Sequence, residues 1–216
     1  VLPAYVNYGE TEIYSCKALG AMPSNVEKGL PRATGTITLF DPETKTPICM
    51  MDAQVISAMR TGAVSALAAR KLIHPETESI CLIGAGVNMR TQLMGLHAAL
   101  PRLKKVIVHS KKETKFQFAD VMSKKLGLDI TPVDHPEKHV REASMIVTCL
   151  PNGVPPAVKD EWITRKGITI FNIGGHETEY SLLSRMDRII ADLWQQAKKR
   201  GTQPHALAVK NSVIPE

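Results

Sequence analysis

Apolar and polar positions follow two different rhythms along this chain, and the change of rhythm divides it. From Val1 to about Met51 short alternating runs, "IYSCKAL", "TGTITLF" and "TPICMMD", are separated by the turn-rich stretches "GAMPSNVEKGLPRATG" and "DPETKTP". Alternation at period two between Gly, Pro and Asn clusters predicts a meander of antiparallel strands. The segment "DAQVISAMRTGAVSALAARKLI" then opens on Asp52, a good N-cap, and is rich in Ala, Leu and Met, which predicts a long helix. Its small residues, among them Ala58, Gly62, Ser65 and Ala69, allow another element to approach closely.

After "HPETE" the pattern becomes apolar runs alternating with helical segments. "SICLIGAG", "KKVIVHS", "DITPVD", "SMIVTCL" and "ITIFNIG" read as strands, and "NMRTQLMGLHAALPRL", "KETKFQFADVMSKKLG" and "HPEKHVREA" as helices. Strands apolar on both sides and interleaved with helices belong to a parallel sheet covered on both faces. The predicted class is therefore α/β: a doubly wound, Rossmann-type parallel sheet from about Ser79 to about Asp192, with a smaller α+β region before it. "DRIIADLWQQAKKRG" is expected to return the chain toward that first region.

Composition narrows the partners. The 216 residues carry 27 Lys+Arg against 21 Asp+Glu, a formal +6, which favours anionic ligands. The basic residues are scattered, and "HSKKETK" and "AKKRG" lack interleaved aromatics, so nucleic acid is not expected. Cys16, Cys49, Cys81 and Cys149 are too far apart for a zinc or redox motif and read as buried, reduced thiols; no metal site is expected. No uninterrupted apolar run reaches ~18 residues, so no membrane association and a cytoplasmic location are expected. Because the chain starts with Val1 and is strand-like at once, it is expected to be a piece of a longer polypeptide.

Candidate chemistry begins at Gly84-Ala85-Gly86-Val87-Asn88-Met89, which fits G-x-G-x-x-G at its first two glycines and has Met89 at the third. In such a turn Gly84 permits the tight bend and Gly86 lets backbone approach a pyrophosphate, whose charge the following helix N-terminus favours. Its place after the first strand of a β/α series is what the mechanism requires. The second strand ends in His109 and Ser110 beside Lys111 and Lys112, where an Asp or Glu would favour NAD; nothing acidic there repels a 2′-phosphate, so the cofactor is NAD or NADP.

The words "NVEKGLPRATG", "DAQVISAMRTGAVSALAARKL", "IGAGVNMRTQ" and "FNIGGHETE", in this order, resemble the ornithine cyclodeaminase/mu-crystallin family, most specifically at "MRTGAVSALAA" followed by "IGAG". The resemblance implies a substrate and dimerisation domain built from both chain ends, a central domain binding NAD or NADP, an active site in the cleft between them, and a homodimer. On that reading residues 1–75 are a partial substrate-binding and dimerisation domain with its connecting helix, 76–200 the dinucleotide-binding domain, and 201–216 the start of the return. Lys17, in "YSCKALG", matches the family's substrate-binding lysine. Arg60, in "AMRTG", matches the arginine that contacts the substrate carboxylate and lies near cofactor phosphate. The chemistry agrees, because an α-amino acid or imine needs a fixed cation for its carboxylate.

The expected cofactor contacts are Arg60, Thr61, Gly84, Gly86, Val87 and Asn88, then His109, Ser110, Lys111, Leu150 and Gly174. Two positions depart from the cyclodeaminases. Arg32, in "GLPRATG", stands where they place a small hydroxyl residue, and adds a substrate-binding cation. His176, in "IGGHETE", stands where they have the catalytic aspartate that holds the substrate's side-chain amine; imidazole does this poorly, yet can serve as acid or base at a carbon-nitrogen bond. Lys17 and His176 are thus the catalytic candidates. The expected function is an NAD(P)-dependent oxidoreductase acting on the C–N bond of an amino acid, N-carboxyalkyl amino acid or imine, similar to the branch that cleaves an N-(2-amino-2-carboxyethyl)-glutamate adduct in diaminopropionate and siderophore biosynthesis. Redox-neutral ornithine cyclodeamination and a non-catalytic crystallin-like NADP-binding protein are the alternatives.

Overall fold

Four antiparallel strands open the chain in the computed structural model, which describes residues 2–111, 113–151 and 153–216. They are β1 (Leu2–Tyr8), β2 (Thr11–Ala21), β3 (Ala33–Phe40) and β4 (Pro47–Asp52), paired in sequence order as the alternation predicted. Gly9, at a φ of 59°, turns β1 into β2 in a conformation other residues rarely adopt. The stretch between β2 and β3 contains a 3-10 helix, Pro23–Lys28, which stops at Gly29 with φ 69°. Helix α1 (Gln54–Leu72) follows, and the Asp52 carboxylate accepts the Gln54 N–H at 2.8 Å, the capping expected of that aspartate.

The chain divides into two compact units, residues 1–61 and 62–216. In the second, five parallel strands, β5 (Ser79–Ile83), β6 (Lys105–His109), β7 (Asp129–Val133), β8 (Met145–Thr148) and β9 (Thr169–Asn172), lie in the order β7-β6-β5-β8-β9. Helices α2 (Val87–Ala99), α3 (Thr114–Leu126) and α4 (Glu137–Glu142) alternate with them. Successive β5 residues enter different cores: Ile80 and Leu82 join Met89, Leu93 and Phe118, while Cys81 and Ile83 join Val140, Ile146 and Leu182. Burial on both faces is why this strand reads as an unbroken apolar run. The strand order reverses beside β5.

The small residues of α1 act as expected: a Cβ on Gly62 would meet the Thr91 carbonyl of α2, and one on Gly95 would meet Gly62 backbone and Ala66. Two backbones this close leave no room for side chains at the crossing. Toward the chain end α5 (Trp194–Arg200) stops at Gly201, φ 62°, and α6 (Pro204–Lys210) packs on the 3-10 helix Tyr180–Arg185. The cysteines need a correction. Cys81 is buried and Cys149 and Cys16 half-buried, but Cys49 is exposed, because it sits on β4 in the first sheet, where no described strand residue is buried. Burial pushes the Cys81 thiol up to about 12, and burial with the nearby Glu177 does the same at Cys149. Among the described residues no helix is long and apolar enough to cross a membrane, and no group of three His, Cys, Asp or Glu is placed to hold a metal ion.

Candidate functional site

The glycine turn lies where the strand order reverses, at the C-terminal ends of β5 and β8. Gly84 has φ 118°, and a Cβ there would strike the Cys149 carbonyl at the end of β8. Only glycine lets these strands leave the sheet so close together. Gly86 caps α2 with extended backbone, and nothing lies within 4 Å of where its Cβ would be. Val87 and Asn88, the first residues of α2, are exposed beside that open space. A 13-residue helix whose first turn carries no side-chain cap and no acid presents free N–H groups and a partial positive charge to it. These residues fit a pyrophosphate, since Gly86 has no Cβ to bar its approach and the helix N-terminus favours its negative charge.

The neighbouring corner belongs to β6. The Gly84 N–H donates to the His109 carbonyl at 2.8 Å, tying the turn to the end of that strand. The His109 ring points Nδ1 at the Val133 carbonyl, 3.1 Å away; a carbonyl only accepts, so Nδ1 carries the hydrogen and Nε2 is left for another partner. The Ser110 hydroxyl lies 3.3 Å from that of Thr114, and Lys111 is exposed. Lys112 lies outside the described residues. Ring, hydroxyl and exposed cation are compatible with the hydroxyls or 2′-phosphate of an adenosine ribose.

On the other side of β5, the loops after β8 and β9 carry Leu150, Gly174 and His176. They are fastened by Glu177, whose buried carboxylate accepts the Thr148 hydroxyl at 2.7 Å, the Gly174 N–H at 3.1 Å and the Leu150 N–H. A Cβ on Gly174 would press on the Glu177 carboxylate and could be admitted only by shifting it. His176 is half-buried against Tyr180, ring centroids 5.6 Å apart, with Nε2 buried and without a hydrogen-bond partner among the described residues. Burial lowers its pKa against the opposing pull of Glu179, which keeps the imidazole neutral and able to take a proton.

In the first unit Lys17 and Arg60 come together. The Lys17 ammonium donates to the Ser57 hydroxyl of α1 at 3.3 Å, and burial, then the Arg60 charge, lowers its pKa. Arg60, one turn beyond Ser57, is exposed, and Thr61 donates its hydroxyl to the Ser57 carbonyl at 2.8 Å. Arg32 stands apart: Lys17 pairs with Ile37, and Arg32 is five positions back along the same strand direction, roughly 16 Å at strand rise. The residue is half-buried, and its backbone carbonyl accepts the Met22 N–H at 2.9 Å.

Several residues of this edge escaped the sequence reading. Arg90, in the first turn of α2, has a buried Nε without a partner among the described residues, and its position in "NMRTQ" beside the glycine turn was the available signal. Glu177 and Thr148 look like a loop acid and a strand threonine, and only the meeting of β8 and β9 makes them a clamp. Lys115 and Asp134 form an ion pair, 2.9 Å, between α3 and the end of β7, which no local pattern announces.

A Rossmann-type parallel α/β unit with a glycine turn at its reversal point, preceded by an antiparallel sheet, defines the class of structure. The profile of the ornithine cyclodeaminase/mu-crystallin family matches residues 1–212, and the chain belongs to that family. It is 28% identical over 201 residues to the N-((2S)-2-amino-2-carboxyethyl)-L-glutamate dehydrogenase of Staphylococcus aureus, covering 92% of this chain and 59% of that protein. Against the L-lysine cyclodeaminase of Streptomyces rapamycinicus it is 31% identical over 140 residues, 64% of this chain and 40% of the relative. Among solved structures, the Δ1-pyrroline-2-carboxylate reductase of Thermococcus litoralis, in complex with NADH and L-proline, superposes with a TM-score of 0.84 at 26% identity, over 99% of this chain and 71% of the other. The chain thus spans between 40% and 59% of the length of these two curated relatives.

Proposed function

We propose that this chain belongs to an NAD(P)-dependent oxidoreductase that acts at the C–N bond of an amino acid, an N-carboxyalkyl amino acid or an imine. The observation that carries the reading is the edge of the parallel sheet, where an uncapped helix N-terminus faces open space beyond Gly86 and a neutral histidine sits on the loop after β9. Similarity to a dehydrogenase of N-(2-amino-2-carboxyethyl)-glutamate and to a reductase solved with NADH supports it.

The dinucleotide, when bound, takes up or gives the hydride. The glycine turn and the first turn of α2 hold its phosphates, and His109 and Ser110 its adenosine ribose. Arg60 binds the substrate carboxylate through a fork that can grip both oxygens, and Arg32 a second one. Lys17, with its lowered pKa, and His176, kept neutral by burial, accept or return the proton of the substrate nitrogen. Two arginines suit a substrate with more than one carboxylate, such as a diaminopropionate-glutamate adduct. The exposed apolar side chains of the first sheet, Tyr5, Val6, Ile48 and Met50 among them, support assembly as a homodimer, which sedimentation would test.

The test combines the protein with oxidised NAD or NADP and a panel of amino acids and N-carboxyalkyl amino acids, reading reduced nicotinamide by absorbance. Accumulation with one substrate class establishes the dehydrogenase. Ammonia released from ornithine or lysine without net reduction would mean cyclodeamination instead, and tight dinucleotide binding with no turnover a crystallin-like binder. With a dicarboxylate substrate, Arg32→Ala is expected to raise KM about tenfold with kcat little changed; an unchanged KM removes Arg32 from the site.

A further inference from the structure

The Lys115–Asp134 pair is an unusual thing to build. Lys115 is the second residue of α3, where a cation opposes the helix dipole, and its side chain is only 3% exposed. A buried ammonium costs stability unless it is paired, and Asp134 at 2.9 Å is the partner it is given, with the Phe116 ring 4.8 Å from the same nitrogen. Asp134 itself is 70% exposed, so the pair has a hidden cation behind and a carboxylate in front. Hydrogen bonding and charge from Lys115 hold that carboxyl below its ordinary range, and it is charged at neutral pH.

Its position matters more than its strength. His109 and Val133 are partners in the β6-β7 ladder, so Asp134 stands level with Ser110 at the sheet edge, one strand over. The end of β6 has no acid, and the sequence alone therefore leaves this corner open to a 2′-phosphate. The fold brings one in from β7. Among the described residues, the other charged or titratable groups around the corner are His109 on β6, the exposed Lys111 and Glu113 before α3, and His135 after β7.

Resting on the reading that a dinucleotide lies across the glycine turn, we propose that the Lys115–Asp134 pair selects its form: Asp134 supplies from β7 the carboxylate that β6 lacks, disfavouring a 2′-phosphate, and Lys115 fixes it in place. The chain is then NAD-preferring despite its lysine-rich "HSKK" stretch.

Nicotinamide fluorescence titration of the full chain with NADH and with NADPH gives the ratio of the two dissociation constants. Asp134→Asn is expected to move that ratio toward NADPH about fivefold, as one unit of charge facing a phosphate through solvent does, and the shift should shrink in 0.5 M salt. Lys115→Met, which leaves the carboxylate uncompensated, should move it the opposite way. The double variant K115M/D134N buries no charge, so it keeps the test available if Asp134→Asn alone does not fold; it too should favour NADPH over the wild type. A ratio unmoved in folded variants overturns the assignment, as does a wild type that prefers NADPH. Gly86→Val separates the two levels, because nothing lies within 4 Å of where its Cβ would be and the cost to the fold is confined to the N-cap of α2. Loss of both ligands there with a ratio indifferent to Asp134 sinks only the selector, whereas binding that survives Gly86→Val sinks the placement of the dinucleotide itself.

Discussion

The two sheets of this chain bury their residues in opposite ways. In β5 every residue after Ser79 is buried, and β8 is buried throughout, because helices cover both faces. In β1 to β4 no described residue is buried, and among the described residues up to 61 only Ala53 and Ala58 are. The first sheet is held by ladder pairing, with its apolar side chains exposed or only half-buried. The second is held by a core of its own. The difference separates where stability resides from where much of the substrate-binding chemistry is proposed, since Lys17, Arg32 and Arg60 all lie in the part without a core.

The largest effect expected is at Glu177. Glu177→Ala strands two backbone N–H groups and leaves a buried hydroxyl only the Phe171 carbonyl, 3.4 Å away, which together amount to roughly 4 kcal/mol. Denaturant unfolding measures it, and dinucleotide titration of the folded fraction should show weakened binding as the loops bearing Leu150 and Gly174 loosen. A loss below about 1 kcal/mol would mean that the β8 and β9 loops are held by something other than this carboxylate.

Next comes the core contrast itself. Leu82→Ala, on β5 with no exposure, should cost about 3 kcal/mol, whereas Met50→Ala, 73% exposed on β4, should stay within about 0.5 kcal/mol. Equal costs would abolish the distinction between the sheets. Glycines sharpen the same comparison with a smaller step. Gly95→Ala drives a methyl into the α1–α2 crossing at Gly62 and should cost about 2 kcal/mol, while Gly20→Ala on β2 meets nothing within 4 Å and should be near neutral.

The same division governs what could be read in advance. The parallel strands were legible because two covered faces leave a continuous apolar signal, and the glycine turn because its position after β5 is a local fact of sequence. The meander was legible from alternation and turn residues. What local pattern does not hold is a meeting between distant segments: Asp134 comes level with Ser110 only through the β6-β7 register, and Glu177 reaches Thr148 only because β8 and β9 are neighbours. Cys49 was misread for a related reason. A thiol on a strand looks like core, and what exposes it is that no described residue of its sheet is buried. Lys17 and Arg60 were found through resemblance, and Ser57, which links them through α1, was not.

The smallest expected effect is also the most selective. All seven histidines lie beyond residue 61, so protonation of histidine near neutral pH can act only on the second unit. Burial lowers the pKa of His176 and of His205 from the ordinary 6.5, against Glu179 in one case and Asp192 in the other. A base whose folded pKa is depressed binds its proton more readily in the unfolded chain. Its contribution to stability is therefore complete above about pH 6.5 and is lost as pH falls through the lowered folded value. Amide exchange compared at pH 7.5 and pH 5.5, with rates corrected for intrinsic pH dependence, should show protection falling in β5 to β9 and staying level in β1 to β4. Because each ring is partly exposed the change is modest, and His176→Asn with His205→Asn should flatten it. Acid loss of protection spread evenly over both sheets would show instead that carboxylates common to the two units govern the response, and that the histidines do not mark the boundary between them.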